Sequence, residues 1–324
     1  MKKICITPVR NEAWILDSFL KAASLWADII IIADQNSQDN SVSIALKYPK
    51  VHVIKNQCVT FNESERQQLL LDEARKFGSN NFILALDADE ILSANFLESA
   101  EWDNFFSNPP GTQMAIKWVN VSPDLLSYWE NFPHYIFGFI DDGSPKNSSI
   151  IHSPRIPVSN NKKTIYLNEV RLLHFQYAFY ERLVVKHVWY QFYERIINPD
   201  KSILDIYEQY NHFRYTSKKK SSIPNEWLYS QNKNGFEIAL IKDFSAFYWI
   251  ELINDMVQEK GIQYFKNLYI WNDPVIQKFV MLPTSGKFLF YKYIHSSILY
   301  NYGKLPNRFY KRILKTILDF FLSN

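Results

Sequence analysis

Glycine is scarce in this chain of 324 residues, with 8 in all, and neither GxGxxG nor GxxxxGK[ST] occurs. Both motifs cradle pyrophosphate on the backbone N–H groups of a glycine-rich turn, so their absence argues against P-loop and dinucleotide-binding readings. Cysteine is scarcer. Cys5 and Cys58 have neither CxxC spacing nor the density of a disulfide framework, and read as free, buried thiols. Long apolar runs are missing too. The start, "MKKICITPVRNEAW", offers only about six apolar residues before Arg10, too few for a signal-peptide core. Nowhere do about 18 uncharged apolar residues follow one another, as a spanning helix requires. The expected location is the cytoplasm.

Aromatic residues are abundant: 24 Phe, 20 Tyr and 9 Trp in a composition that is 47% apolar, enough for a large core in one large domain or two ordinary ones. The formal net charge of +3 hides an asymmetry. Residues 1–150 hold 12 Lys+Arg against 19 Asp+Glu, whereas residues 151–324 hold 24 against 14. The basic half reads either as solvated surface or as a surface for phosphates or an anionic membrane.

The first hundred residues alternate two periodicities. "KICITPV" is a short apolar strand, Asn11 a candidate N-cap, and "EAWILDSFLKAASLWA" has apolar residues near helical spacing. "DIIIIAD" is a β-branched run of the kind buried on both faces in parallel sheets. "VSIALKY", the strand "VHVIK", the acid-opened helix "NESERQQLLLDEARKF" and the strand "NFILAL" follow. This predicts an open α/β sheet, mostly parallel, which binds ligands at the carboxyl ends of its strands. Residues 112–121 read as a further strand, 122–165 as irregular, and the chain from about 176 onward as mainly helical.

"NFILALDADEIL" places Asp87, Asp89 and Glu90 at such a strand end. Clustered carboxylates raise one another's pKa unless a cation relieves them. Oxygen ligands suit Mg²⁺ or Mn²⁺, which bind substrate phosphates through one or two carboxylates. The plainer reading is a turn cap followed by a solvated helix start, and an isolated DxD is a weak motif.

In order and spacing, "TPVRNEAWIL", "IIIIADQNSQDNS", "FNESERQQLLLDEA" and "FILALDADEIL" resemble the nucleotide-sugar domain of family 2 glycosyltransferases, of Rossmann-like GT-A fold. The bacterial branch with lipopolysaccharide-core and capsule sugar transferases is the most similar. The clear resemblance covers residues 1–100, and a weaker continuation reaches about 195. It implies that Pro8, Arg10 and Glu12 lie beside base and ribose, that Asp34 accepts a hydrogen bond from the base, and that Arg66 faces base or pyrophosphate. Gln67 stands where the family has Asn. Asp87 is then a ribose contact and Asp89 the ligand of a metal bridging the diphosphate. "EVRLLHFQYAFYERLVVKHVWYQF" resembles the segment closing the donor site, which implies His174 near the metal and Lys186 and Tyr190 on the next helix. For the general base the choice is Asp142, then Asp141, in "GFIDDGS", with Glu130 and Glu169 as competitors and Arg155 matching a family arginine. His134, His152 and His212 lack such context.

The terminal helix "PNRFYKRILKTILDFFLSN" gathers Phe309, Ile313, Ile317, Phe320 and Phe321 near one stripe, with Arg308, Lys311, Arg312 and Lys315 elsewhere, a pattern for an anionic membrane or for packing on the protein. The expectation is a Mn²⁺- or Mg²⁺-dependent inverting glycosyltransferase. It takes a sugar from a nucleoside diphosphate donor, UDP foremost, to a cell-surface glycan or lipid-linked acceptor, at the inner face of the cytoplasmic membrane if the helix touches lipid. Residues 1–195 would form the donor and catalytic domain and 196–324 a helical region for acceptor, membrane or oligomer contacts. A sugar-1-phosphate nucleotidyltransferase, which normally has a glycine-rich first loop, and a non-catalytic nucleotide-sugar-binding scaffold are the alternatives. No motif points to nucleic acid.

Overall fold

The computed structural model describes residues 1–56, 62–145, 154–214, 218–238, 241–242, 248–280, 286–305, 311 and 314–315. It divides into two compact units, Met1–Ala178 with Lys220–Phe244, and Phe179–Lys219 with Ser245–Asn324. The sequence-based partition at 195/196 is one of function; the compact units part earlier, at Phe179, and residues 220–244 return to the first.

In the first unit, β1 (Lys3–Val9), α1 (Leu16–Trp26), β2 (Ile29–Asp34), α2 (Ser41–Ala45), β3 (Val51–Lys55), α3 (Glu63–Arg75) and β4 (Phe82–Ala85) follow one another as the periodicity predicts. Then come β5 (Glu90–Leu92), α4 (Ala100–Phe105), β6 (Gln113–Val121), β7 (Ser127–Ile140) and β8 (Thr164–His174). The sheet order is β3-β2-β1-β4-β7-β6-β8-β5, and the two-residue strand Ser221–Ser222 pairs with the start of β7. Strands β1 to β4 are mutually parallel, and β6 is parallel to β8; β7 runs antiparallel to β4 and β6, and β5 antiparallel to β8. This is the Rossmann-like α/β arrangement expected.

The segment 122–165 departs from the expectation of irregular structure, because Ser127–Ile140 is a fourteen-residue strand. Its punctuation misleads. Gly138 sits where a Cβ would meet the Phe82 ring at 2.9 Å, so the glycine serves close packing inside a strand, not a turn. Register shifts between β6 and β7 interrupt the alternation further.

Ile4, Ile6, Ile31, Ala33, Leu70, Leu71, Ala74, Ile83 and Phe139 form one buried cluster that seats α3 on the sheet. Each large aliphatic side chain there contributes roughly 1.5–3 kcal/mol on burial. Helix α3 starts where Asn62 Oδ1 accepts the N–H groups of Ser64 and Glu65 at 3.1 and 3.2 Å, with Glu63 and Glu65 in the positive first turn. Around Phe82, the rings of Trp26, Trp102, Phe105 and Phe106 meet edge to face at 5.2 to 6.4 Å.

The second unit is helical, as expected. Helix α5 (Tyr180–Ile197) buries Leu183, Val184, Val188, Trp189 and Phe192, and α6 (Ile203–Asn211) follows. Buried Glu194 accepts hydrogen bonds from Lys201, Asn198 and Tyr210 at 2.7 to 2.9 Å. Further helices span Tyr248–Lys260, Pro274–Phe279 and, through a π-helical segment at Phe290–His295, residues 286–304. Phe309, Ile313, Ile317, Phe320, Phe321, Arg308 and Arg312 of the terminal stripe lie outside the described residues, as do Cys58 and His152. Lys311 and Lys315 are described, and pair with Glu208 and Asp205 of α6. Among the described residues no helix is long and apolar enough to cross a membrane.

Candidate active site at the carboxyl edge of the sheet

The loops after β1 and β2 are sewn together by Asn11. Its φ of 55° gives the left-handed turn usually left to glycine, and its Oδ1 accepts the N–H groups of Gln38 and Asp39. Its own N–H donates to Ser37 Oγ at 3.0 Å. Asn11 is therefore a loop bridge and not the expected N-cap; α1 begins only at Leu16. Glu12 is fixed as well: its N–H donates to Ser41 Oγ at 2.8 Å and its carboxylate accepts the Trp14 indole N–H. Pro8 and Val9 lie in register with Ala33 and Asp34, which brings Pro8, Arg10 and Asp34 to one edge. Both Asp34 oxygens accept the Ser37 N–H at 3.3 Å, a turn that holds the carboxylate at the strand end. Arg66 stands in the first turn of α3, a helix that packs on β1 and β2.

The acids after β4 are divided between two partners. Asp87 N–H donates to Glu90 Oε2 at 2.9 Å, and Glu90 N–H returns to the Asp87 carbonyl at 3.0 Å, closing the turn. Arg155 then reaches both acids: one nitrogen donates to Asp87 Oδ2 at 2.7 Å and to Glu90 Oε1 at 2.9 Å, and the other to Glu90 Oε2. Its guanidinium lies 5.5 Å from the Phe137 ring centroid. Burial raises the Glu90 carboxyl to about 7; Arg155 pulls downward, while the charges of Asp87 and Asp89 push further upward. Burial disfavours the Arg155 charge, but the neighbouring acids outweigh it and keep the guanidinium protonated.

Asp89 points to a different group. The β5–β8 and β6–β8 registers set Glu90 and Asn120 opposite His174. Asn120 Oδ1 lies 3.1 Å from His174 Nδ1 and, being only an acceptor, accepts a hydrogen bond from the Nδ1–H. In the neutral ring Nε2 therefore carries the lone pair, and it lies 3.8 Å from Asp89 Oδ2. That separation is too long for a hydrogen bond. Trp118 lies against the imidazole with ring centroids 4.3 Å apart. Among the described residues no group of three or more His, Cys, Asp or Glu could hold a metal; of these residues Asp89 and His174 would be a cation's ligands, with phosphate and water as further donors. Asn120 and the clasp on Glu90 are absent from the sequence reading. A buried asparagine in "KWVNV" signals a polar partner without naming it.

Asp141 and Asp142 do not join this site. Ile140 pairs with Phe82, and Asp141 N–H donates to the Asn81 carbonyl, so both acids lie at the start of β4, opposite the edge that carries Asp87. Six residues of extended chain separate the two levels by roughly 20 Å. Asp141 is buried in a fork with Arg75, Nε to Oδ2 at 3.0 Å and Nη2 to Oδ1 at 2.9 Å. Asp142 pairs with Lys162 at 2.7 Å. Partial burial works upward on its carboxyl, but Lys162 and the Ser144 N–H and hydroxyl prevail and hold it down at about 2. Such an acid is a poor proton acceptor at neutral pH, and the expectation of a general base at either residue is corrected. The competitors are also engaged: Glu130 with Lys117 and Arg171, Glu169 with the Ser99 hydroxyl.

Lys186 belongs to the second unit, where its Nζ lies 6.0 Å from the Trp249 ring centroid; Tyr190 stacks on Tyr210 at 5.4 Å. His134 bonds to the Leu167 carbonyl at 3.0 Å and His212 to that of Gln209 at 3.3 Å, both structural contacts. Cys5 is buried, and burial pushes its thiol well above the ordinary range.

No protein-family model and no curated protein matches the chain. Among solved structures it is similar to glucosyl-3-phosphoglycerate synthase from Mycobacterium tuberculosis in complex with Mn²⁺, UDP and glucosyl-3-phosphoglycerate. Identity is 18% over 37% of this chain and 44% of that one, with a TM-score of 0.28. A 4-diphosphocytidyl-2C-methyl-D-erythritol synthase aligns at 18% identity over 36% of this chain and 59% of its own, TM-score 0.28. A putative glucose-1-phosphate thymidylyltransferase from Bacillus anthracis aligns at 13% identity over 76% and 97%, TM-score 0.30. The chain thus spans about half the length of the first two.

Proposed function

We propose that the protein is a metal-dependent inverting glycosyltransferase that uses a nucleoside diphosphate sugar. The observation that carries this reading is the Asp89–His174 pair, 3.8 Å apart at the carboxyl edge of the parallel strands, with the imidazole tautomer set by Asn120. A carboxylate oxygen and an imidazole nitrogen are donors that could hold Mn²⁺ or Mg²⁺, and such an ion would neutralise charge on a leaving diphosphate. In the reaction the acceptor hydroxyl oxygen bonds to the sugar C1, the bond from C1 to the diphosphate oxygen breaks, and the hydroxyl proton passes to a base or water at that edge.

Asp87 keeps its place by accepting from Arg155 and can still receive a ribose hydroxyl, its side chain being about a third exposed. Pro8, Arg10, Glu12, Asp34 and Arg66 surround the base and ribose in this reading, with UDP the first donor to try. The acceptor is a polysaccharide or lipopolysaccharide glycan, or a lipid-linked one. A nucleotidyltransferase normally builds its first loop from glycine; here Asn11 makes that turn and spends its side chain on the neighbouring loop.

The test is metal-dependent release of UDP from a panel of UDP-sugars. Activity with Mn²⁺ that is lost in chelator, in Asp89→Ala and in His174→Ala, with unfolding temperatures unchanged, is expected. Full activity in Asp89→Ala would overturn the metal role, and pyrophosphate release from a nucleoside triphosphate and a sugar 1-phosphate would favour the nucleotidyltransferase.

A further inference from the structure

From Pro274 to Leu318, 45 residues contain eight Lys or Arg and no Asp or Glu. The longer described helix within this stretch, residues 286–304, has one side that is exposed. Leu289, Phe290, Tyr293 and Ile294 are 46%, 47%, 61% and 53% exposed, at spacings of one and four that place them side by side on a helix. The opposite side is packed, with Phe288, His295, Leu299 and Tyr302 buried. A groove of about 520 Å³ borders that side, lined by Tyr293, Ile294, Ile298, Leu305 and Leu314 together with Ser297, Asn301 and Tyr302. The cations lie beside the rings: Lys292 Nζ is 5.6 Å from the Tyr293 centroid and Lys304 Nζ 4.1 Å from that of Tyr300.

We propose that this face of the second unit docks on an anionic lipid bilayer, with Leu289, Phe290, Tyr293 and Ile294 entering the interfacial layer and Lys292 and Lys304 meeting the headgroups. Aromatic rings flanked by lysines suit a boundary that is apolar on one side and charged on the other. A stretch without acids gains with every anionic headgroup it meets. Four half-exposed side chains offer a few hundred Å², short of the ~800 Å² per partner of a standard protein interface, which disfavours a second copy as the occupant. Of the eight cations, Lys278, Lys311 and Lys315 are neutralised by Glu181, Glu208 and Asp205, so the contact lies on the 286–304 helix and not on those three.

The experiment is co-sedimentation of the full chain with vesicles of equal phosphatidylglycerol and phosphatidylcholine, against pure phosphatidylcholine. Binding to the anionic vesicles is expected, weakening at high salt. Phe290→Ser/Ile294→Ser should lower the affinity at least about tenfold and Lys292→Glu/Lys304→Glu comparably, with unfolding temperatures unchanged because these side chains are exposed. Equal binding to phosphatidylcholine, unchanged binding by both double variants, or a dimer in sedimentation velocity that Phe290→Ser/Ile294→Ser dissolves would overturn the proposal. So would duplex DNA that competes the vesicles off. Vesicle binding is read without any sugar nucleotide, so it stands or falls apart from the transferase reading.

Discussion

Two acidic clusters sit at opposite edges of one sheet, and each holds an arginine. At the start of β4, Asp141 is forked by Arg75 and Asp142 is paired with Lys162, so every carboxylate has a permanent cation within 2.9 Å. At the far edge, Asp87 and Glu90 share Arg155, and Asp89 faces the Nε2 of a histidine at 3.8 Å. The first cluster is a finished ion-pair network with a structural role. In the second, a turn and a buried clasp hold Asp87, Asp89 and Glu90 together at the carboxyl ends of the parallel strands, a clustering of carboxylates that favours a cationic ligand.

The largest expected effect separates the two edges by activity. Asp89→Ala should reduce metal-dependent UDP release by about 10³-fold, the scale of removing an electrostatic partner from a developing charge. Asp142→Ala should leave turnover within about twofold, since its carboxylate is roughly 20 Å away along the strand. Comparable losses in both variants under steady-state assay would erase the distinction.

The next effect is on stability. Arg155→Met leaves the buried Glu90 carboxylate without its counter-ion, a change that typically costs 3–5 kcal/mol. Arg75→Met should cost somewhat less, because the Asp141 side chain keeps 6% exposure whereas that of Glu90 has none. Adding Glu90→Gln to Arg155→Met should recover most of the loss, and urea unfolding of the three variants decides it. A double variant no more stable than Arg155→Met would show that Arg155 acts through packing on Phe137 instead.

How much of this was legible in the sequence follows the range of the interactions. Strands β1 to β4 and their helices were, because "IIIIAD" and "FILA" need burial on both faces and only a parallel sheet with helices beside it supplies that. The placing of Asp34, Asp87 and Asp89 at or just after strand ends was, since strand ends are local features; the roles proposed for them come from the resemblance. The fourteen-residue β7 was not, because Pro133 and Gly138 read as turn residues in one dimension, while the glycine answers to the Phe82 ring across the sheet. Asp141 and Asp142 failed for a related reason. The spacing of "GFIDDGS" from the closing segment says nothing about direction, and β7 runs antiparallel to β4, carrying its carboxyl end to the wrong edge. The Asn120–His174 bond and the Arg155 clasp on Glu90 join residues 54 and 65 apart in sequence, which no local pattern encodes; Arg155 was marked only by the family resemblance.

The smallest effect is the most specific to the clasp. Glu90 has its carboxyl raised by burial from the ordinary 4.5 to about 7. Between those values the folded chain binds more protons than the unfolded chain. Stability contributed by the protonated carboxyl is therefore complete below about pH 4.5 and is lost as pH rises toward 7, with a slope of at most about 1 kcal/mol per pH unit. In Glu90→Gln that decline should vanish, because glutamine does not titrate. Asp142, held at about 2, has the opposite sign: its contribution is present above the ordinary carboxylate range and lost only as pH falls toward 2, so Asp142→Asn should leave the slope between 4.5 and 7 unaltered. Unfolding midpoints in urea across that window, for the parent chain and both variants, give the comparison directly. A parent chain that gains stability as steeply as this from pH 4.5 to 7, with Glu90→Gln parallel to it, would mean that Arg155 holds Glu90 ionised throughout and that the clasp at the carboxyl edge is as complete as the Arg75 fork at the other.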